Sequence, residues 1–339
     1  MSPQPTSQIL GTGTLSDVLG DSVAFRLLEP LDHRLPGLEE LRAPLGLAPN
    51  RIPRKVEPDY GRVVAEMLRA AVRLRSGSAD IRRVLVIGDT AHNDGGALVG
   101  ICRALGCPGA AFICDEDEGE PGVGIDERVE GVEIHLANRW RSIDRFEEDL
   151  GRAGWLVDQH TVVVIDIDKT ALGARGRNHR PIDEARVAAV LRTAHDLRGE
   201  AVDEDLLLAT YHHFNRPPFH PFTTDNQDYQ ASLALLVEGG WTSCKELDGA
   251  ISGGTYASFE GLLRAVSNAP GALSPEAFAA HVTVETAVQN GDPTPFKTFR
   301  RAEFRETVDR MIPAQAGRDI EELLSERILL TGEVWRSAM

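Results

Sequence analysis

The sequence predicts an α/β protein in which a central parallel sheet is joined to a second, mainly helical region. Residues 84–87 and 162–165 are short apolar runs rich in β-branched side chains, which is typical of strands covered on both faces in a parallel sheet. A helical pattern follows the first run. Residues 171–326 carry almost only helical patterns and are too long for a loop, so they predict a unit of their own.

The elements follow from apolar residues spaced three or four positions apart in helices and from continuous apolar runs in strands. In chain order, the first part predicts a helix at 63–71, a strand at 84–87, a helix at 97–105, a strand at 110–114, an acidic Gly- and Pro-rich joint at 115–122, a helix at 142–156 and a strand at 162–165. The second part predicts helices at 182–197, 204–214, 229–238, 259–266, 275–282, 304–311 and 320–326.

Two aspartates stand just beyond each of two predicted strands. Asp166 and Asp168 follow one strand, whereas Asp89 and Asp94 follow the other, where Gly88 is expected to let a ligand approach closely. Open α/β sheets bind ligands at the carboxyl ends of their strands. Aspartates there can be a nucleophile with an acid/base partner, ligands for Mg²⁺, or simple helix caps. Because four converging anions would repel one another, the pattern favours a divalent cation.

These residues resemble the motifs of a known enzyme superfamily. The strand followed by Asp166, Asp168 and Thr170 resembles motif I of the haloacid dehalogenase superfamily of phosphatases and phosphotransferases. The stretch from Asp89 to Asp94 resembles its motif IV. In the usual members motif I comes first and motif IV last, whereas this chain has them in the reverse order.

Weaker matches to the other two motifs complete a cyclic order. The stretch 327–330 predicts a further, mainly apolar strand that ends in Thr331-Gly332, as the strand of motif II does, and Lys55 precedes a helix in the manner of motif III. The order III, IV, I, II is the usual order rotated, which is what circular permutation produces. The stretch 119–160 would then join the former ends of the chain.

The resemblance implies a Rossmann-like core with a central parallel sheet, formed by residues 1–170 and 327–339, and a mainly helical cap formed by residues 171–326. A cap that closes over the site implies a small phosphorylated substrate. Asp166 would attack the phosphorus, Asp168 would serve as acid and base, and Lys55 would pair with Asp166 and the phosphate.

The resemblance also implies the remaining site residues. The Mg²⁺ ligands would be Asp166, the backbone carbonyl of Asp168, Asp89, and Asp94 directly or through water. Phosphate and substrate would be bound by Thr331, Thr170, Gly332, Arg175 and Arg177. A solvated basic loop is the plainer account of the two arginines, and helix-end packing is the plainer account of the His- and Phe-rich stretch 211–220.

The expected function is therefore a Mg²⁺-dependent phosphohydrolase with an aspartyl-phosphate intermediate. A phosphotransferase or phosphomutase shares every motif and stays open. A dehalogenase needs no metal and usually lacks the second aspartate of motif I, and a binding module would have lost motif residues. Two positions depart from the usual pattern: Lys169 stands where glycine is common, and Glu333 where arginine is common.

Composition adds limits on partners and location. The net charge of −16 argues against nucleic acids and anionic membranes. No apolar run has the ~20 residues of a membrane helix, and the first residues lack a signal core. The four cysteines have no zinc-type spacing, and Cys102 and Cys114 are expected to be buried thiols. A cytoplasmic location is expected.

Overall fold

A five-stranded sheet organises the first part of the chain in the computed structural model. The strands are β1 (Arg83–Gly88), β2 (Gly109–Cys114), β3 (Val123–Val129), β4 (Val132–Ala137) and β5 (Thr161–Ile165), in the spatial order β3-β4-β2-β1-β5. The structure describes residues 11, 13, 17, 22–25, 27–49, 51–78, 80–129, 131–155, 157–271, 273–311 and 318–338.

The predicted parallel sheet is confirmed for the strands that position the aspartates. β1 lies between β2 and β5 and pairs with both in parallel, and β2 pairs in parallel with β4. Only the pairing of β3 with β4 is antiparallel. The sequence did not predict β3 and β4, which lie within the stretch expected to be a connector.

Helices cover both faces of this sheet. They are α1 (Leu38–Leu45), α2 (Pro58–Ser76), α3 (Asn93–Leu105) and α4 (Ile143–Arg152), with α13 (Ile320–Glu326) and α14 (Gly332–Ala338) near the end of the chain. Val63 of α2 and Ile101 of α3 join the core on one face, whereas Phe146 of α4 and Val334 of α14 join the core on the other. The predicted helices at 63–71 and 97–105 are therefore confirmed. Leu156, at the end of the predicted helix 142–156, lies outside the described residues.

Two of the predicted strands differ from expectation. β5 is an edge strand with β1 as its neighbour, so Val163 is 41% exposed instead of covered on both faces. The predicted strand at 327–330 is also wrong, because only Leu330 forms an isolated antiparallel bridge, to Leu172. Hydrogen bonds from Gly173 N to Leu329 O (2.8 Å) and from Thr331 N to Ala171 O (2.9 Å) hold this segment to the loop after β5.

The chain divides into two compact units, residues 1–182 with 311–339 and residues 183–310. Residues 171–182 and 320–326, which the sequence analysis assigned to the helical cap, belong instead to the first unit. One reason is Asn178, whose side-chain amide donates to Leu324 O (2.7 Å) and Arg327 O (2.8 Å). Its Oδ1 accepts from Leu329 N.

The described residues of the second unit form helices and no β-strand. The helices are α5 (Arg180–Arg198), α6 (Glu204–Phe214), α7 (His220–Thr223), α8 (Gln227–Glu238), α9 (Cys244–Ser252), α10 (Phe259–Asn268), α11 (Pro275–Gln289) and α12 (Lys297–Met311), of which α5 and α12 run across the limits of the unit. Phe214, Leu233 and Leu262 lie in its core. Across the described residues, no helix has the length and apolar character that crossing a membrane requires.

Candidate active site

Three aspartates converge at the carboxyl ends of β1 and β5. The two strands are paired in register up to Ile87 and Ile165, and Asp166 N then donates to Ile87 O at 2.9 Å. This pairing places Asp166 beside the loop that carries Asp89. Carboxylate oxygens of Asp89, Asp94 and Asp166 all lie within 4.8 Å of one another. The convergence predicted for these three residues is therefore present.

Lys55 supplies a cation to this cluster. It lies in the turn just before α2, and its Nζ donates to Asp94 Oδ1 at 2.6 Å and also to Asp166 Oδ1. The lysine is thus shared by two carboxylates that are far apart in sequence. The contact between Lys55 and Asp166 that the sequence analysis expected is present.

Asp94 is the most buried member of the cluster, with 2% of its surface exposed. Its Oδ2 accepts from Asp89 N (3.1 Å), Thr90 N (2.9 Å) and Thr90 Oγ1 (3.1 Å), while its Oδ1 is taken by Lys55. Since both oxygens are engaged by protein donors, Asp94 fixes the loop that carries Asp89. This geometry favours its indirect role at a metal over direct ligation.

Gly88 makes room for Asp94 and not, as expected, for a ligand. A Cβ at position 88 would lie 2.5 Å from Cβ, Cγ and Oδ2 of Asp94. No real Cβ contact is that short, and Asp94 cannot yield because its carboxylate is fixed on both oxygens. The absent side chain is therefore a condition for the cluster.

We expect Gly88→Ala to destabilise the fold by about 1–3 kcal/mol, as overpacking of a core usually does, and to displace Asp94. A lower midpoint of urea unfolding and a loss of turnover would be measured together. Gly151→Ala is the control, because a Cβ there meets nothing within 4 Å on helix α4 and alanine favours a helix. Equal stability of both variants would contradict this account of Gly88.

Burial and mutual repulsion perturb the titration of the cluster. Burial raises the pKa of Asp166 to about 7, reinforced by the charge of Asp94 and opposed by that of Lys55. Burial also raises the pKa of Asp89, against the opposing hydrogen bond from Arg175. For Lys55, burial favours a lower pKa, but the charges of Asp166 and Asp94 outweigh it and hold the pKa above its ordinary value.

Sequence reasoning missed Tyr60 as a neighbour of the cluster. The residue lies in the first turn of α2, and its ring packs against the core between helix and sheet. Burial raises the pKa of its phenol, and the charges of Lys55, Asp166 and Asp94 also reach it. The signal that could have identified Tyr60 is its position in the first turn of the helix that follows Lys55.

A tight turn carries Asp168, Lys169 and Thr170 away from β5. Asp168 is exposed, which suits a group that exchanges protons. Lys169 has a φ of 64°, a left-handed conformation that glycine adopts without strain. Lys169 adopts this conformation at some cost, since its side chain makes the left-handed region unfavourable.

The two threonines are buried beside each other. Thr331 Oγ1 donates to Thr170 O at 2.5 Å, and Thr170 Oγ1 has no hydrogen-bond partner among the described residues. To donate to a phosphoryl oxygen, Thr331 would have to leave this carbonyl. Gly332 begins α14 directly after it.

Arg175 and Arg177 have different surroundings. Arg175 Nη1 donates to Asp89 Oδ2 at 2.8 Å, so its guanidinium reaches the cluster. Arg177 donates instead to Glu116 (2.8 Å) and Glu333 (3.0 Å). The second departure from the family pattern is thereby explained, since the glutamate at 333 is the partner of an arginine. The structure does not bring Arg177 to the cluster.

The stretch 211–220 lies in the second unit and packs at a helix end. His213 Nε2 contacts Asp248 Oδ2 at 2.8 Å, and the guanidinium of Arg216 lies over the ring of Phe219. Tyr211 donates to Gln227. These contacts account for the aromatic residues without a ligand. His92 is exposed at the start of α3, as expected of a surface residue, and Cys102 and Cys114 are buried.

Comparisons of the chain with protein-family models, curated proteins and solved structures found no match.

Proposed function

We propose that the protein is a Mg²⁺-dependent phosphohydrolase of the haloacid dehalogenase type that acts on a small phosphorylated metabolite. One observation carries the proposal: Lys55, Asp89, Asp94 and Asp166 meet at the carboxyl ends of two neighbouring parallel strands. They come from three separate segments, in the order that a circular permutation would give. If these aspartates only capped helices, they would not be expected to share one lysine.

The donor set fits a hard divalent cation. Asp166 Oδ2 has no hydrogen-bond partner among the described residues, and Asp89 Oδ1 meets only Thr90 Oγ1, at 3.5 Å. Carboxylate oxygens are the ligands that Mg²⁺ prefers. Asp166 and Asp89 would hold the cation, Asp94 would fix Asp89 from behind, and the bound cation would neutralise charge on the phosphoryl oxygens.

The chain's own residues can perform the chemistry. Asp166 attacks the phosphorus and forms an aspartyl-phosphate, while Lys55 pairs with its carboxylate and offsets the negative charge of the reacting groups. The exposed Asp168 gives a proton to the leaving oxygen and then takes one from the attacking water.

Phosphate release from a panel of phosphorylated metabolites is expected to require Mg²⁺ and to stop in excess chelator. The physical reason is that the cation must offset repulsion between Asp166 and the anionic substrate. Re-addition of Mg²⁺ should restore the rate, and Ca²⁺, with its looser geometry, should restore it poorly.

The same assay separates the competing functions. Full activity in chelator, with halide released from a 2-haloacid, would contradict the proposal in favour of a dehalogenase. Transfer of the phosphoryl group to a second substrate, with little free phosphate, would indicate a phosphotransferase. The helical unit of residues 183–310 is proposed to be the cap.

A further inference from the structure

Every carboxylate of the cluster has a protein cation as its partner. Lys55 serves Asp94 and Asp166, whereas Arg175 serves Asp89 through Nη1. The three anions thus face two protein cations. A divalent cation that binds Asp89 would meet the guanidinium at the same carboxylate, and like charges so close repel one another.

Arg175 has a second carboxylate, outside the cluster. Its Nε donates to Asp115 Oδ2 at 3.1 Å, and the side chain of Asp115 is 64% exposed whereas that of Asp89 is 10% exposed. The guanidinium therefore bridges a buried anion and a solvated one. It can leave Asp89 while keeping a partner at Asp115.

The backbone of Arg175 is anchored on several sides. Its N donates to Lys169 O (2.8 Å), and its O accepts from Trp140 Nε1 (3.0 Å) and Glu116 N (3.3 Å). The next residue, Gly176, has a φ of 81°, and a Cβ on it would lie 1.8 Å from Glu116 O. Because the main chain is fixed and the side chain is 33% exposed, movement falls to the side chain.

We propose that Arg175 is an exchangeable counter-ion, which neutralises Asp89 until a divalent cation arrives and then turns to the phosphoryl group of the substrate. This inference rests on the proposed function and extends it by assigning control of metal affinity to one residue. It predicts opposite effects on two ligands. Loss of the guanidinium should tighten Mg²⁺ binding and weaken phosphate binding, whereas simple structural damage would weaken both.

The test measures binding to the full-length protein by calorimetry, first with Mg²⁺ alone and then with inorganic phosphate in saturating Mg²⁺. We expect Arg175→Gln to bind Mg²⁺ at least about fivefold more tightly and phosphate at least about fivefold more weakly, the lower end of usual coupling between ligands. Arg175→Lys, which keeps a cation, should stay closer to the parent protein in Mg²⁺ affinity.

Arg177→Gln is the matched control. Arg177 lies in the same loop as Arg175 and also pairs with carboxylates, but its partners are Glu116 and Glu333. Its substitution by glutamine removes the same charge. Its Mg²⁺ affinity should equal that of the parent protein. Equal Mg²⁺ affinity in Arg175→Gln and Arg177→Gln would overturn the counter-ion role while leaving the metal site standing. If no form of the protein bound Mg²⁺, both the proposed function and this inference would fail.

Discussion

Asp166→Asn is expected to abolish hydrolysis of phosphate esters, with a loss of turnover of at least about 10³-fold, while the fold persists. Loss of a catalytic nucleophile costs even more than this in well-studied hydrolases. Asparagine keeps the shape of the side chain and an oxygen for Lys55 Nζ, which now contacts Asp166 Oδ1. Single-turnover phosphate release and thermal unfolding would be measured on the same preparation.

Two further variants are compared with Asp166→Asn, one with a smaller expected loss and one as a control. Asp168→Ala should slow turnover by about 10²-fold, the usual effect of losing an acid/base group. Asp80→Asn removes an exposed carboxylate that pairs with Arg82 ahead of β1, and it should leave the rate unchanged. Retention of substantial turnover by Asp166→Asn would show that another group attacks the phosphorus.

The central part of the fold was predictable because its strands are short apolar runs that need no distant information. The aspartates beyond β1 and β5 could likewise be placed together, since parallel neighbours end at one edge of a sheet. Lys55 was found through its resemblance to motif III and its place in the motif order. Its contacts with Asp94 and Asp166 depend on how α2 packs, which no local pattern encodes.

The hairpin of β3 and β4 was missed although residues 132–136 of β4 alternate between apolar and polar side chains, and burial does not follow that alternation at the end of the strand. In β4, the polar His135 is 3% exposed and contacts the ring of Phe146, whereas the apolar Leu136 is 37% exposed. Tertiary packing therefore reverses the usual assignment of polar and apolar positions. The acidic stretch before it further suggested a loop.

Helix α9 was missed although its sequence carried a signal. Ser243 and Glu246 form a capping box, in which the side chain of each residue accepts a hydrogen bond from the backbone N–H of the other. The error at 327–330 has another cause. An apolar run predicts burial, and Ile328 is indeed buried, but pairing in a sheet depends on neighbours, and this segment pairs with the loop around Leu172 instead.

Lys55→Met is expected to cause the second large loss, reducing turnover by about 10²–10³-fold, as the removal of one preorganised charged donor does elsewhere. Without Lys55, Asp94 and Asp166 lose the cation that they share. Stability should fall by about 1–3 kcal/mol, less than for a fully buried pair because the lysine side chain is 32% exposed. Lys297→Met, at an exposed pair with Asp292, is the control.

A double-mutant cycle separates the two effects of the lysine. In Lys55→Met with Asp94→Asn, one of the two facing charges is gone, so stability should recover in part, whereas turnover should stay low because no cation holds Asp166. Kinetics and urea unfolding of all four proteins would measure the coupling. If Lys55→Met alone turned over at the parental rate, Lys55 would be only a structural counter-ion of Asp94, and the motif III assignment would be wrong. Asp166, whose pKa is already raised by burial, would then rely on the divalent cation alone to stay ionised.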